Sequence, residues 1–286
     1  MKKIVVIPNS IKDKEYKVTA LACDKLISLG LKVSLSEKYR SICTHSVEYY
    51  DSFPTDADLI IVVGGDGSII DATKYSVRYS VPILGINLGK VGYLSEVEPQ
   101  DLSPLDSLVT GEYAIEERML IEALVIGDSK DTMERQDIFA VNDVVISHDT
   151  YLGLADIKLE DSFGNAIKYR ADGVILSTPL GSTAYSLSAG GPIVAHNVDS
   201  ILVTPVCAHS FFNRSVLFSA DELIKVTNIG NGTLNVSIDG RHFAVIDEGG
   251  ECLIKRSCKR IKMLTFSNNR MFSNLFKKMK MLEDIK

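Results

Sequence analysis

Leu59-Ile60-Ile61-Val62-Val63-Gly64-Gly65-Asp66-Gly67-Ser68-Ile69-Ile70-Asp71 is the stretch on which the fold turns. Its first five residues are a continuous apolar run with β-branched members, bounded by glycine. Such a run reads as a short strand buried on both faces. Ser68, followed three residues later by Asp71, reads as a hydroxyl cap with its carboxylate partner at a helix start. Glycines between strand and helix let the backbone approach a ligand closely, and a helix N-terminus offers amides and partial positive charge to phosphate. Asp66 stands at the same edge as an acceptor for a hydroxyl proton or a ligand for a metal ion. Phosphoryl transfer is the chemistry such a loop suggests. An ordinary Asp-Gly tight turn is the structural alternative, and the loop alone leaves both open.

Outward from this loop, strand and helix patterns alternate over the first hundred or so residues. Ile4–Ile7 reads as a strand. Lys14–Leu29 carries Val18, Leu21, Ala22, Leu26 and Leu29 at helical spacing, and Gly30 follows as a stop. Val33 and Leu35 open another extended segment. After Leu59–Val63 come a helix over Ser68–Val77 and a strand over Val81–Ile86. This order predicts an α/β N-terminal domain, residues 1–116, with a Rossmann-like parallel sheet that binds ligands at the carboxyl ends of its strands. Asp66 falls at such an end, and so does Asn87-Leu88-Gly89-Lys90-Val91-Gly92-Tyr93.

From Glu117 the character changes to short extended runs separated by turn signals: Leu120–Ile126, Ile138–Ser147, Ala155–Leu159, Ala166–Tyr169 and Gly173–Leu176. Later come Ile201–Val206, Leu223–Val226, Leu234–Ile238 and Cys252–Ile254. Asp161-Ser162-Phe163-Gly164-Asn165 and Asp239-Gly240 read as hairpin turns. A β-rich C-terminal domain over 117–267 is expected. Met271, Leu275, Phe276 and Met279 then mark an amphipathic helix over 268–286 that returns to the N-terminal domain.

A length of 286 residues suits two modest domains or one large one, and a formal net charge of −6 argues against wholesale nucleic-acid binding. Lys255–Lys280 is basic throughout, with no acidic residue. A nucleic-acid or lipid-surface patch is one reading, and a solvated face that helps attract an anionic substrate is the preferred one. Cys23, Cys43, Cys207, Cys252 and Cys258 show neither a C-x-x-C pair nor zinc-site spacing, which fits reduced thiols in the cytoplasm. The short apolar run after Met1-Lys2-Lys3 reads as a strand rather than a signal segment, and no stretch approaches membrane-spanning length. A soluble cytoplasmic protein with no nucleic-acid or membrane partner is expected.

The middle of the chain holds a second cluster, Asp172–Pro192, in which Ser, Thr and Gly follow an apolar strand. Small and hydroxylated residues suit a tight nucleotide pocket, although Ser/Thr/Gly loops are common. Just before it, Asn142-Asp143 interrupts an apolar strand. A buried carboxamide and carboxylate need partners, which ribose hydroxyls or nearby backbone would supply. His148 and His209 read as structural or surface histidines.

These segments together resemble the NAD kinase family: Gly64-Gly65-Asp66-Gly67, Asn87–Leu94, Asn142-Asp143, Asp172–Pro192, Thr204-Pro205 through Asn213-Arg214, and Ser237-Ile238-Asp239-Gly240. The match spans nearly the whole chain in order. The first motif alone is shared with diacylglycerol kinases, sphingosine kinases and 6-phosphofructokinases. The resemblance implies phosphorylation of the adenosine-ribose 2′-hydroxyl of NAD to give NADP, with ATP or polyphosphate as donor and Mg²⁺ or another divalent cation. It implies homodimers or homotetramers in which a neighbour completes the site.

Carried over by position, the resemblance makes Asp66 the catalytic carboxylate, also available to the metal. Gly67, Tyr93, Asn142, Asp143, Asp172, Thr183, Ala184, Tyr185 and Ser188 would contact NAD, with Tyr93 near the adenine and Asp172 at the nicotinamide end. Gly64, Gly65, Gly67 and Ser68 would hold the donor phosphates. Asp143 replaces a usual Glu, Ser68 a frequent Thr, and Leu180 a small polar residue. A nucleotide sensor without turnover would have no need of Asp66. An NAD-dependent oxidoreductase would carry a Gly-x-Gly-x-x-Gly after the first strand, where Ile7-Pro8-Asn9-Ser10 stands.

Overall fold

A computed structural model describes residues 2–42, 46–89, 92–126, 139–148 and 153–266. The chain divides into two compact units, one holding the residues up to Glu117 and those from Ile261 on, the other Arg118–Arg260. The helix expected over 268–286 lies outside the described residues.

In the first unit, β1 (Lys3–Pro8), α1 (Lys17–Ser28), β2 (Lys32–Ser36), β3 (Val47–Tyr50), β4 (Leu59–Gly64), α2 (Asp66–Tyr79) and β5 (Ile83–Asn87) follow in turn, with the one-turn helix α3 (Ser107–Thr110) after them. The strands lie side by side in the order β5-β4-β1-β2-β3, every pair parallel. Every residue of β4 and β5 is buried, as a parallel strand covered on both faces requires. The helices bury a stripe at helical spacing: Thr19, Ala22, Cys23 and Leu26 on α1, and Ile69, Ala72, Thr73 and Ser76 on α2.

Two helix starts differ from the sequence expectation. α1 begins at Lys17 rather than Lys14, because Glu15 and Tyr16 take left-handed backbone angles, φ 57° and 54°. The buried Asp13 carboxylate then accepts the amides of Val18 (3.1 Å) and Thr19 (2.8 Å). α2 begins at Asp66 with Gly65 as its cap, so Ser68 is an internal residue of the first turn and not the cap. Gly30 ends α1 as expected, at φ +77°.

The second unit is built from β6 (Ala114–Val125, which crosses the division), β7 (Phe139–Ala140), β8 (Asp143–His148), β9 (Ala155–Glu160), β10 (Ala166–Ala171) and β11 (Gly173–Ser177). The one-turn helix α4 (Tyr185–Ser188) comes next. It is followed by β12 (Ser200–Val206), β13 (Val216–Ser219), β14 (Ile224–Asn228), β15 (Leu234–Ile238), β16 (Arg241–Ile246) and β17 (Glu251–Thr265). One antiparallel sheet has the order β13-β12-β11-β8-β15-β16. In the other, β9 joins β10 to β14, β14 pairs with β17, and β6 pairs with β17 and β7. The inward residues of the two sheets share one core, which includes Val144, Ile146, Val174, Leu176 and Val236 from the first and Ile121, Ile157, Leu159, Val226 and Ile254 from the second. From Ile261 onward β17 belongs to the first unit, where Met263 pairs in parallel with Ile83.

The single strand expected over Ile138–Ser147 is two strands with a break at Val141-Asn142. The Asp239-Gly240 turn forms as expected, both residues at positive φ (47° and 75°), which matches the twist of a two-residue hairpin. No helix among the described residues is long and apolar enough to cross a membrane.

Candidate functional site

In the first unit, three loops leave the carboxyl ends of the neighbouring strands β1, β4 and β5. The loop after β4 is held by close packing at Gly64, where a Cβ would stand 2.5 Å from Ser68 Oγ and 2.6 Å from its Cβ. Only a residue without a side chain lets β4 pass so close to the first turn of α2. The Gly64 carbonyl accepts the amide of Leu88 (2.7 Å), which ties the loops after β4 and β5 together. Ser68 and Ile69 donate their amides to the Gly65 carbonyl (2.9 and 3.2 Å). Helix geometry leaves the amides of Asp66 and Gly67 without intrahelical partners. Gly67 is exposed, with nothing within 4 Å of an added Cβ.

Asp66 is half-buried, and its carboxylate is fixed by the loop after β5: Oδ1 accepts the amide of Leu94 (2.9 Å) and Oδ2 that of Tyr93 (3.0 Å). Burial, and then the Asp66 charge, raise the Tyr93 phenol above its ordinary value. Two asparagines shape the flanking loops. The buried Asn87 accepts the Gly89 amide (2.8 Å), donates to the Glu98 carboxylate (3.2 Å), and packs against Gly92, whose φ is +63°. Asn9, just past β1, accepts the amides of Ile11 and Lys12 (3.0 Å each) and donates to Ser68 Oγ (2.7 Å). Its loop carries the exposed Lys12, whose Nζ sits where a side chain on Gly65 would stand and 3.8 Å from a Cβ built on Gly89. Lys12 has no acidic partner among the described residues. The sequence reading passed over Asn9 and Lys12. The available signal was a polar residue following a buried strand, as Asp66 follows β4.

In the second unit, Asn142 and Asp143 stand at the break between β7 and β8, against the Ser/Thr/Gly segment. The Asn142 carbonyl accepts the Thr178 amide (2.9 Å) and the Ser177 hydroxyl (3.2 Å), while Thr178 Oγ1 donates to the Val141 carbonyl (2.6 Å). Gly181 closes over the Asn142 backbone so tightly that a Cβ there would overlap it. The Asp143 side chain is buried and makes no hydrogen bond among the described residues. Burial first, and the neighbouring Asp239 second, push its carboxyl up to about 7. Asp239 accepts three consecutive amides, from Val141, Asn142 and Asp143.

Most hydroxyls of the 177–188 segment make hydrogen bonds to other groups of the protein. Ser182 donates to the Pro179 carbonyl (2.7 Å) and accepts the Val194 amide (3.0 Å), and buried Ser186 shares a hydrogen bond with Thr204 (2.8 Å). Thr183 donates to the Leu180 carbonyl (3.2 Å), and half-buried Ala184 caps α4 while donating its amide to Gly181 (2.9 Å). Of the predicted residues on this segment, Tyr185 and Ser188 are exposed. Asp172 is exposed between β10 and β11, where the Cys207 thiol donates to it. Asp66, Gly64, Gly65, Gly67, Ser68 and Tyr93 are thus gathered in one unit, and Asn142, Asp143, Thr183 and Ala184 in the other.

Residues 9–113 match the family model of the ATP-NAD kinase N-terminal domain, and residues 141–266 that of the C-terminal domain. The NAD kinase of Caldanaerobacter subterraneus is 37% identical over 283 residues, covering 96% of this chain and 98% of that one. The chain belongs to the NAD kinase family. The NAD kinase of Natranaerobius thermophilus is 34% identical, with 98% of each chain covered. In fold, the family likeness extends to yeast NADH kinase complexed with NADH, at a TM-score of 0.81 and 21% identity, over 97% of this chain and 87% of that one. It extends also to an NAD kinase from Archaeoglobus fulgidus in complex with ATP, at 0.72 and 24%, over 98% and 99%. Membership makes the chain a phosphotransferase.

Proposed function

We propose that this chain transfers the terminal phosphoryl group of ATP to the adenosine-ribose 2′-hydroxyl of NAD, giving NADP. The observation that carries the reading is the Asp66 carboxylate, held by two backbone amides at the head of α2 where the first sheet ends. Phosphoryl transfer is largely positioning and charge stabilisation, so its acceptor must be aligned and its donor held. A carboxylate offers about four lone-pair directions, of which the Tyr93 and Leu94 amides use two, leaving acceptor capacity for a ribose hydroxyl. Asp66 accepts or orients the 2′-hydroxyl proton. The Asp66 and Gly67 amides, with the Ser68 hydroxyl behind them, face the donor phosphates, and the Lys12 ammonium adds positive charge above Gly65 and Gly89. Asn142 and Asp143 take the ribose and adenine region, Tyr93 the adenine, and Thr183, Ala184, Tyr185 and Ser188 line the dinucleotide. Asp172 meets the nicotinamide end.

A divalent cation, Mg²⁺ by preference, would be held with the help of Asp66 and would supply charge neutralisation to the donor phosphates. Magnesium usually takes one or two carboxylates plus phosphates and waters, and the single half-buried Asp66 suits that modest demand. The working form is a homodimer or homotetramer, in which the exposed Asp172 serves a neighbouring site. Free thiols at Cys23, Cys207, Cys252 and Cys258 fit a cytoplasmic protein.

NADP formation from NAD and Mg²⁺, measured separately with ATP, GTP and polyphosphate, tests the reading. NADP should appear with ATP. Absence of NADP with every donor would overturn it.

A further inference from the structure

Asp239 has no role in the proposed chemistry so far. Its carboxylate takes the amides of three consecutive residues, Val141 (2.9 Å), Asn142 (2.8 Å) and Asp143 (3.2 Å), and its own amide donates to the Asp143 carbonyl (3.0 Å). The break between β7 and β8 removes the Val141 and Asn142 amides from the strands, and a buried amide without an acceptor is costly. β15 runs beside β8, with Ile238 opposite Val144, so the hairpin turn delivers residue 239 directly to the break. The same main chain is gripped from its other side by Ser177, Thr178 and Gly181. The Asn142-Asp143 backbone is therefore clamped on both sides.

A neutral hydroxyl or amide would satisfy part of this need. The chain instead sets a second carboxylate beside the buried Asp143, an arrangement that costs stability. We propose that Asp239 is a positioning residue for the dinucleotide: it fixes the Asn142-Asp143 backbone, and its negative charge sets how strongly Asp143 accepts hydrogen bonds from the ribose. This rests on the assignment of Asn142 and Asp143 to NAD binding.

The electrostatics agree in sign. Burial and Asp239 together hold the Asp143 carboxyl near 7, while Asp239 is itself raised by burial against the pull of its three amides and Arg241. Of the elements packed on β8, β11 brings no charged residue, nor does the 178–184 segment. β15 is followed by Asp239 in the turn, and β16 opens with Arg241 and His242. A ribose hydroxyl donates best to the ionised carboxylate, so NAD affinity should rise with pH through about 7. Removing the Asp239 charge should lower that midpoint.

The test measures the NAD dissociation constant against pH for the wild type, Asp239→Asn, Asp239→Glu and Asp143→Asn, with turnover at saturating NAD alongside. Well above the midpoint, where Asp143 is ionised in either form, Asp239→Asn should weaken NAD binding by about tenfold or more, as expected when charged hydrogen bonds are lost, and it should move the pH midpoint down while turnover at saturating NAD changes little. Asp239→Glu should keep the wild-type midpoint, and it serves as the comparison if Asp239→Asn does not fold. Asp143→Asn should flatten the pH dependence. If Asp239→Asn leaves the midpoint and affinity unchanged while Asp143→Asn weakens binding, the role given to Asp239 is wrong. A lowered melting temperature with an unmoved midpoint would make it merely structural. A midpoint moved down by Asp239→Glu would equally overturn the inference. Unchanged NAD binding in Asp143→Asn would remove the parent assignment as well.

Discussion

Asp143 carries an unusual cost for a carboxylate. Its folded carboxyl holds a proton to about pH 7, whereas the unfolded chain releases it near the ordinary aspartate value of 3.8. Folding therefore takes up a proton between these values, and stability from this group falls as pH climbs through the window. Asp143→Asn should accordingly raise the melting temperature more at pH 8 than at pH 5. Equal shifts at both pH values, read by thermal denaturation, would contradict the burial account. Sequence alone named Asp143 as a buried polar residue in search of a partner. It did not show Asp239 beside it, because the two lie 96 positions apart and meet only through sheet pairing. The two amides that fix Asp66 were equally hidden, coming from residues 27 and 28 positions away.

At the scale of elements, the glycines of the first motif separate into two kinds. Gly64 is required by close packing on Ser68, and Gly181 in the second unit by packing on Asn142. Gly67 is required by neither packing nor backbone angle, since it lies in the first turn of α2 with open space around it. Glycine inside a helix costs roughly 0.5–1 kcal/mol relative to alanine, so Gly67→Ala should stabilise the fold by up to about that amount. If its open face receives phosphate, the same change should raise the KM for ATP. A variant stabilised without loss of donor affinity would show that the position is not used. Gly181→Ala forces a methyl into backbone and should destabilise by about 1–3 kcal/mol in denaturant unfolding. A wild-type midpoint would refute that packing. The alternation of strand and helix, and the Asp239-Gly240 hairpin, were legible because periodicity and turn chemistry are local. The break at Val141-Asn142 was not, since apolar residues on both sides gave one continuous strand pattern and the Asp239 acceptor is supplied from afar. β13 and β16 also escaped notice, being short runs whose exposed hydrophobic residues blur the alternation.

For the molecule as a whole, the two motif groups sit in separate units, with the glycine-rich loops and Asp66 in the α/β unit and the clamped Asn142-Asp143 backbone in the β-rich one. The family was legible because the motifs occur in order along nearly the whole chain, and relatives of matching length bear that out. The Ser/Thr-rich segment was legible as a cluster of small and hydroxylated residues, but the partners of its hydroxyls were not, because several come from residues distant along the chain. Ser182 and Thr183 bond within the segment, whereas Ser177 and Thr178 reach Asn142 and Val141, and Ser186 reaches Thr204.

The central claim is that Asp66 handles the acceptor proton for phosphoryl transfer to NAD. Steady-state NADP formation and NAD binding, compared between the wild type and Asp66→Asn, test it most directly. General-base assistance is worth about 10²–10⁴-fold, so turnover should fall by about that factor while the NAD dissociation constant stays close to its wild-type value. Turnover near the wild-type rate in Asp66→Asn would contradict the account.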